Sequence, residues 1–301
     1  MPDITEIDCA SWQDRRNDFM NALLLISIIL GVSLQNVVKK PFSQKASGKG
    51  VYFFCLMTSF SAMIFFVVTS GGFEWNTGLI FHAMLFALAY TVGSIFGLEA
   101  VACGPLSITS LIISYSLMIP TVYGLVFLKD PVGVGLFPGL ALLAISLFLL
   151  NQKNINMPVT AKWIVFVVLA FIGNGMCTVV QKMQQIKFDG AFKNEFMILS
   201  LAIGSVALCL FVFKKERKDL RSVAKIGWFP ALACGLANGM VNLFVMILSN
   251  RMPVSLMFPM ISAGGIIITY LVSRFFYKEK LTKTQFAGFI IGIVSAVFLN
   301  I

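Results

Sequence analysis

Residues 104–151 read GPLSITSLIISYSLMIPTVYGLVFLKDPVGVGLFPGLALLAISLFLLN, and residues 252–300 read MPVSLMFPMISAGGIIITYLVSRFFYKEKLTKTQFAGFIIGIVSAVFLN. In both stretches a Pro precedes a long apolar segment that ends at a basic–acidic pair, which is Lys129-Asp130 in the first stretch. A Gly follows nine residues after each acid, and a second apolar segment then ends in Asn. The chain therefore contains an internal duplication.

Three hydroxyl side chains recur at intervals of seven residues in each stretch. The two sets, related by a constant shift of 148, are Ser107, Ser114 and Thr121 in the first and Ser255, Ser262 and Thr269 in the second. Seven residues are nearly two helical turns, so each set forms one stripe along a helix. Such a stripe fits the wall of a hydroxyl-lined substrate cavity, and it fits equally well a close contact between two helices.

The composition is that of an integral membrane protein. Hydrophobic residues make up 58% of the chain, charged residues only 12%, and the mean hydropathy is +0.89. A soluble domain carries about 25% charged residues. Ten apolar stretches are each long enough to cross about 30 Å of hydrocarbon, namely 20–38, 51–69, 79–99, 105–128, 132–150, 162–180, 194–213, 226–249, 254–277 and 284–301. We predict an all-α integral membrane fold with ten transmembrane helices.

The duplication divides these ten spans into two halves of five. The predicted organisation is a polar tail at 1–19, a first repeat at 20–151 and a second repeat at 152–301. Met20 is an alternative start, so the tail is expected to be dispensable. Because five is an odd number, the second half must lie upside down in the bilayer, an arrangement that recurs among transporters.

Loop charges agree with the inversion. The loop at 70–78 has no Lys or Arg, whereas its counterpart at 214–225 has six. The net charge of +10 would suggest a nucleic-acid partner in a soluble protein. Here it is explained by basic cytoplasmic loops, so no nucleic-acid partner is predicted. The sum over all loops places both termini outside the cytoplasm.

The arrangement resembles the drug/metabolite transporter superfamily, specifically its EamA type. The resemblance covers nearly the whole chain after residue 20 and is a pattern of small, Pro and acidic positions. It implies a secondary carrier in the cell membrane, with a central cavity lined by spans one, three, four, six, eight and nine. It also implies that both termini are cytoplasmic, which is the opposite of the loop-charge result.

Two polar pairs stand in matching places of spans three and eight. Tyr90 and Ser94 are four residues apart, and their repeat equivalents Asn238 and Asn242 are also four apart. Polar side chains within hydrocarbon usually face the bundle interior or a cavity. We therefore predict substrate contact, the alternative being a hydrogen bond between helices. The predicted substrate-binding set is completed by Ser107, Ser114, Ser255, Ser262, Asn36 and Thr178.

Two titratable residues are candidates for an ion or proton site. His82 is the only histidine, and a pH-sensing role competes with a simple interfacial position. Glu99 lies near the end of span three, where it could bind a cation or proton or could be an interfacial carboxylate. Asp130 and Glu279 occupy the repeat turns and are expected to be structural acids at helix ends.

Enzymatic and metal-dependent functions find no support in the sequence. It has no Walker loop and no GxSxG, and its six cysteines show no CxxC or metal spacing, so no metal or cofactor is predicted. Multidrug exporters that this superfamily resembles depend on an acid in the middle of the first span, which this chain lacks. The sequence therefore predicts a carrier of a small polar or amphipathic metabolite. The alternatives are a membrane scaffold subunit and a cation transporter for drugs or magnesium.

Overall fold

The computed structural model describes residues 18–35, 38, 50–103, 109, 112–113, 115–150, 160–217, 220–276 and 282–299. Regular structure in this part of the chain is helical, and no β-strand occurs there. The helices are α1 (Asp18–Gln35), α2 (Val51–Thr69), α3 (Leu79–Cys103), α4 (Met118–Phe127), α5 (Leu136–Leu150), α6 (Ala161–Lys187), α7 (Lys193–Lys215), α8 (Leu220–Ser249), α9 (Val254–Phe276) and α10 (Lys283–Phe298). A short 3-10 turn, Tyr115–Leu117, leads into α4.

Six of these helices are long and apolar enough to cross a membrane, namely α1, α2, α3, α6, α7 and α8. The segments Tyr115–Phe127, Leu136–Leu149 and Val254–Gly265 form shorter apolar helices. Large apolar side chains point outward around the bundle, including Val68 at 77% and Leu210 at 67% exposure. Because a protein in water would bury such side chains, this surface fits lipid. The molecule is a multi-pass membrane protein.

Some helices extend beyond the predicted spans. Span eight was expected to begin at 226, but α8 begins at Leu220, and α3 continues to Cys103. The added first turn of α8 carries Arg221 and Lys225, both exposed. A span predicted from hydropathy ends where charged residues begin. The helix itself can continue past that point, because its Lys and Arg side chains reach water.

Local signals explain where several helices begin and end. The Thr160 hydroxyl accepts a hydrogen bond from the Trp163 backbone N–H at 3.2 Å, which caps the start of α6. At the far end of α6, Asp189 (φ 48°) and Gly190 (φ 76°) adopt left-handed conformations that stop the helix. Thr282 and Gln285 form a reciprocal capping box at the start of α10.

The helices α2 and α7 pack along each other in opposite directions. Phe54 near the start of α2 packs with Leu208 near the end of α7, and Phe66 near the end of α2 packs with Phe196 near the start of α7. Midway along both helices, the Ser205 hydroxyl donates to the Ser59 hydroxyl at 2.9 Å.

The helices α5 and α10 are joined by two crossed hydrogen bonds. The Ser146 hydroxyl of α5 donates to the Gly288 carbonyl of α10 at 2.7 Å, and the Ser295 hydroxyl of α10 donates to the Gly139 carbonyl of α5 at 2.8 Å. The start of each helix therefore lies beside the end of the other, so this pair is also antiparallel. Both serines are fully buried, and the bonds satisfy hydroxyls that would otherwise be costly in the core.

Glycines allow two further helix crossings to be very close. A Cβ atom on Gly173 of α6 would lie 2.5 Å from the Gly93 backbone nitrogen of α3. A Cβ atom on Gly31 of α1 would lie 2.5 Å from Cγ2 of Val241 in α8. Close backbone approach at small residues is a common source of stability between membrane helices.

The turn acid Asp130 caps a neighbouring helix. Its carboxylate accepts a hydrogen bond from the Ser255 backbone N–H at 3.0 Å, at the start of α9. A carboxylate is favourable at this position because the N-terminus of a helix carries partial positive charge. The prediction that Asp130 is a structural acid at a helix end is confirmed, while Glu279 lies outside the described residues.

The two ends of the bundle differ in charge. One end, where α2 begins and α7 ends, is called here the basic end. Its described charged residues are the cations Lys162, Lys214, Lys215, Arg217, Arg221, Lys225 and Lys283 and the acids Glu99 and Glu216. At the opposite end the described cations are Lys129, Lys182, Lys187, Lys193 and Arg251, and the described acids are Asp18, Glu74, Asp130, Asp189 and Glu195. The described charge is therefore concentrated at the basic end.

Candidate functional site

A chain of four side-chain amides crosses the bundle interior from α6 through α8 to α1. Gln181 Nε2 donates to Asn242 Oδ1 at 2.7 Å. Asn242 Nδ2 donates to Asn238 Oδ1 at 3.0 Å, and Asn238 Nδ2 donates to Gln35 Oε1 at 3.3 Å. We call these four residues the carboxamide chain. One member comes from the first half of the sequence and three come from the second.

Helix periodicity explains how the chain is assembled. Asn238 and Asn242 are four residues apart, so both lie on one face of α8 and reach each other. The neighbouring helices contribute one amide each, and these are almost completely buried, Gln35 at 6% and Gln181 at 2% exposure. A buried amide is costly unless it is hydrogen-bonded, and here each amide satisfies its neighbour.

Sulfur atoms lie at both ends of the carboxamide chain. Gln181 Nε2 also lies 3.7 Å from the Met197 Sδ atom of α7, and the Cys234 thiol of α8 donates to the Gln35 backbone carbonyl at 3.6 Å. Sulfur is a weak hydrogen-bond acceptor and donor, so these contacts are easily exchanged for others.

The other predicted pair, Tyr90 and Ser94, forms a separate hydroxyl cluster. The Tyr90 hydroxyl interacts with the side chains of Ser59 and Ser94, and the Tyr90 ring stacks on Phe86 at 6.0 Å between centroids. The Cys177 thiol of α6 also lies near Tyr90. Cys177 is four residues before Gln181, so the hydroxyl cluster and the carboxamide chain meet successive turns of one face of α6.

The described residues of the hydroxyl stripes make varied contacts. The Ser255 hydroxyl is fully buried and finds no hydrogen-bond partner among the described residues. Ser262 and Thr121 line the same small cavity between α4, α5 and α9. The Thr121 hydroxyl donates to the Leu117 carbonyl of its own turn at 3.0 Å. This bond fits the alternative in which the stripe serves a contact between helices. Ser107, Ser114 and Asn36 lie outside the described residues.

Thr178 bonds to its own helix. Its hydroxyl donates to the Gly175 carbonyl at 2.8 Å. Asn174 lies at the α3–α6 crossing, where its Oδ1 atom would be 3.1 Å from a Cβ atom on Gly93. Substrate contact by Thr178 stays a prediction.

Glu99 belongs to a cluster at the basic end. The Lys215 ammonium lies 2.8 Å from Glu99 Oε1 and 2.9 Å from the Tyr52 hydroxyl, which itself donates to Glu99. The next residue, Glu216, accepts hydrogen bonds from the Tyr52 and Phe53 backbone N–H groups at the start of α2. The cluster ties α2, α3 and α7 together. An ion or proton role for Glu99 stays a prediction.

His82 lies near the opposite end, at the start of α3. It is 4% exposed, its Nδ1 atom is 3.4 Å from the Gly78 carbonyl, and its ring packs edge-on against Phe81 and Phe188. The position fits the interfacial alternative, and a pH-sensing role stays a prediction. Within the described residues, no group of three or more His, Cys, Asp or Glu side chains could hold a metal ion.

An apolar groove of about 520 Å³ lies between α4 and α6. Its lining includes Met118, Tyr123, Phe171 and Met183, and none of the predicted site residues. Lined almost entirely by apolar side chains, this groove fits hydrocarbon better than a polar solute.

The predicted substrate-binding set lacks Gln181, and at the end of span one it includes Asn36, although the adjacent Gln35 is also a candidate from the sequence. Gln181 stands in the sequence VVQK at 179–182, which repeats VVKK at 37–40, and Gln35 lies near the end of the first span. The available signal was that each is an uncharged amide within an apolar helix, since such residues usually find polar partners across helices. Which partners they find depends on helix packing, which the residue pattern does not specify.

Known proteins resemble the chain in sequence and in fold. Residues 161–301 match the model of the EamA-like transporter family. No curated protein sequence matches the chain. A solved structure described only as "Crystal structure of protein" superimposes with a TM-score of 0.75 at 12% identity, covering 93% of this chain and 96% of that one. The second half of the chain is thus similar in sequence to a family of transporters.

Proposed function

We propose that the protein is a secondary carrier of a small polar or amphipathic metabolite in the cell membrane, working by alternating access between two inverted halves. The observation that carries the proposal is the carboxamide chain, because it gathers amides from both halves in the interior of a largely apolar bundle. Polar side chains in such positions mark substrate pathways. The substrate class that fits amides and hydroxyls is neutral or zwitterionic, such as an amino acid, nucleoside or sugar.

Helix directions support the inverted repeat. The pairs α2/α7 and α5/α10 occupy equivalent places of the two halves, and each pair runs antiparallel. In α5 and α10 the equivalent serines, Ser146 and Ser295, bond to the equivalent glycines of the opposite helix. A local twofold axis produces such crossed bonds, and two helices that exchange places by rotation about an axis in the membrane plane must point in opposite directions.

The two glycine crossings support it as well. Gly173 follows Gly31 by 142 residues, the shift that also separates VVKK at 37–40 from VVQK at 179–182. Val241 follows Gly93 by 148, the shift that relates the two hydroxyl stripes. The contact of α6 with α3 is thus repeated as the contact of α1 with α8. Repeats that meet at matched crossings can rock against each other around a site between them.

The carboxamide chain has the properties of a site that exchanges partners. In the structure its amides bond to one another, so each has at least one amide partner. An entering solute with its own donors and acceptors would replace those bonds one for one. The net binding free energy would then depend on how well the solute's donors and acceptors align with the amides. The site would discriminate strongly against analogues that lack one of these hydrogen-bonding groups.

A ligand-induced shift in thermal stability tests the proposal. Detergent-purified protein is heated with amino acids, nucleosides, sugars and quaternary amines, since a ligand that binds only the folded state raises stability by about 2.7 kcal/mol at 100 times its Kd. One class should stabilise the wild type and lose its effect in Asn242→Ala. Ser27→Ala is the matched control, because among the described residues the Ser27 hydroxyl bonds to the Leu23 carbonyl of its own helix, α1.

The outcomes separate the alternatives. An equal shift in wild type and Asn242→Ala would keep the carrier and reject the carboxamide chain as its site. No shift with any class at millimolar concentration would favour a scaffold subunit. A shift with quaternary amines alone would favour a cation transporter. Counterflow of the stabilising solute in proteoliposomes then tests transport itself.

A further inference from the structure

The basic sequence that ends α7 divides into inward and outward side chains. Lys215 and Glu216 bond to the bundle, Lys215 to Glu99 and Glu216 to the first backbone N–H groups of α2, although the Lys215 side chain is still 47% exposed. Lys214 and Arg217 are exposed. Both described acids of the basic end are thus already bound to protein groups, and the outward cations are left to interact with what lies outside.

The first turns of α8 continue this exposed charge and then change character. Arg221 and Lys225 are four residues apart and exposed. On the same face follow Trp228 at 57% and Phe229 at 63% exposure, and then Leu232 at 37%. Spacings of three and four residues keep all five on one stripe of the helix.

The exposed face of α7 repeats the same order from its end inward. Lys214 and Arg217 are preceded by Phe213 at 59% exposure, and then by Leu210 at 67% and Val206 at 65%. On both helices the order is therefore cation, aromatic ring and aliphatic side chain. This is the order in which a helix meets phosphate, the interface and acyl chains on entering a bilayer.

We propose that the outer face of the α7–α8 hairpin binds an anionic phospholipid at the basic end. Lys214, Arg217, Arg221 and Lys225 hold the headgroup phosphate, and the acyl chains lie along the aromatic and aliphatic stripes. A soluble polyanion would match only the four cations. The lipid matches the whole stripe, because the exposed rings and aliphatic side chains directly below need hydrocarbon.

The opposite end provides an internal comparison. There Trp75 is 61% and Phe73 is 50% exposed, so this loop also has aromatic rings at a membrane surface. The residue between them is Glu74, and no cation stands in the loop at 70–78. Trp75 therefore reports on an interface that lacks the basic stripe.

Fluorescence quenching in proteoliposomes tests the proposal. The full chain is reconstituted in phosphatidylcholine with increasing fractions of either phosphatidylglycerol or phosphatidylcholine brominated on its acyl chains. The Trp228 signal is the difference between wild type and Trp228→Phe, and the Trp75 signal is the difference between wild type and Trp75→Phe. We expect brominated phosphatidylglycerol to half-quench Trp228 at a mole fraction about fivefold lower than brominated phosphatidylcholine, and Trp75 to show no preference.

Paired charge variants complete the test. Arg221→Gln with Lys225→Gln should remove the phosphatidylglycerol preference at Trp228, whereas Lys129→Gln with Lys187→Gln at the opposite end should leave it unchanged. All four side chains are exposed, so both variants should keep the wild-type melting temperature. The proposal is overturned if the two lipids quench Trp228 equally, if Trp75 shows the same preference, or if the Arg221/Lys225 variant retains it.

Discussion

The α3–α6 crossing and the α1–α8 crossing occupy equivalent places of the sequence repeat, yet they differ in what lies between the helices. At the first, Gly173 faces the Gly93 backbone directly. At the second, Gly31 faces the side chains of Val241 and Met240. Under the proposed repeat, the close contact is the same at both crossings, while the groups that form it differ.

Their polar neighbours have diverged in the same way. The α3–α6 crossing is flanked by the hydroxyl cluster of Tyr90 and Ser94, and the α1–α8 crossing by the amides of Asn238 and Gln35. An amide both donates and accepts, so it can exchange one partner for another without leaving an atom unsatisfied. The comparison indicates a tight, rigid crossing on one side of the bundle and an adaptable, polar one on the other.

The largest expected effect is a loss of stability when the tight crossing is filled. Gly173→Ala places a methyl group against backbone atoms of α3, so the helices must separate, at a cost of about 1–3 kcal/mol. Gly31→Ala meets side chains instead of backbone. The Met240 end can move away, whereas Val241 is held near one rotamer in a helix, so the cost should be smaller but not zero. Melting temperatures in detergent measure both.

Gly265→Ala is the control for these two variants, because no described atom outside its own stretch of helix lies within 4 Å of the position of its added Cβ. It should leave the melting temperature near that of the wild type. Equal losses for Gly173→Ala and Gly31→Ala would mean that the two crossings are mechanically alike, and the contrast between them would be lost.

The next effect concerns the carboxamide chain. Asn242→Leu leaves the Gln181 amide without its acceptor, which should cost about 1–3 kcal/mol. With Gln181→Leu in the same molecule, both partners are apolar, and the double variant should be more stable than the sum of the single losses predicts, by about 0.5–3 kcal/mol. Denaturant titration of the three variants gives this coupling energy.

Tyr90→Phe serves as the comparison from the other cluster. It removes one hydroxyl, whose neighbours Ser59 and Ser94 can turn to other partners, so its loss should stay near about 1 kcal/mol. Additive losses for Asn242→Leu and Gln181→Leu would contradict the hydrogen bond between them.

Most of the fold was accessible from the sequence, for a physical reason. Hydrocarbon requires every backbone group to be satisfied within its own segment, so an apolar stretch such as 51–69 or 194–213 has little choice but to form a helix. The helices α2 and α7 accordingly lie within two residues of those predictions. Helix ends that carry charged residues were harder to predict, such as the start of α8 at Leu220. Hydropathy does not indicate that a helix continues through exposed cations.

The candidate site was accessible only in part. Asn238 and Asn242 could be paired because one helix carries both, and helical periodicity is local information. Their partners Gln35 and Gln181 are 203 and 61 residues away in the chain. Contacts across such separations are set by how helices cross, and those crossings depend on glycines such as Gly31, whose role becomes apparent only when the facing helix is known.

The smallest expected effect comes from the region where the two halves have not diverged. Ser146→Ala and Ser295→Ala each remove one of the crossed hydrogen bonds between α5 and α10, and bonds of this kind between membrane helices contribute about 0.6 kcal/mol. Because the two bonds are equivalent under the repeat, the two losses should be equal and should add in the double variant. A large loss for one serine and none for the other would mean that the α5–α10 contact is also asymmetric. Asymmetry would then not be a special property of the α1–α8 crossing, and it would no longer identify that side of the bundle as the polar, adaptable one.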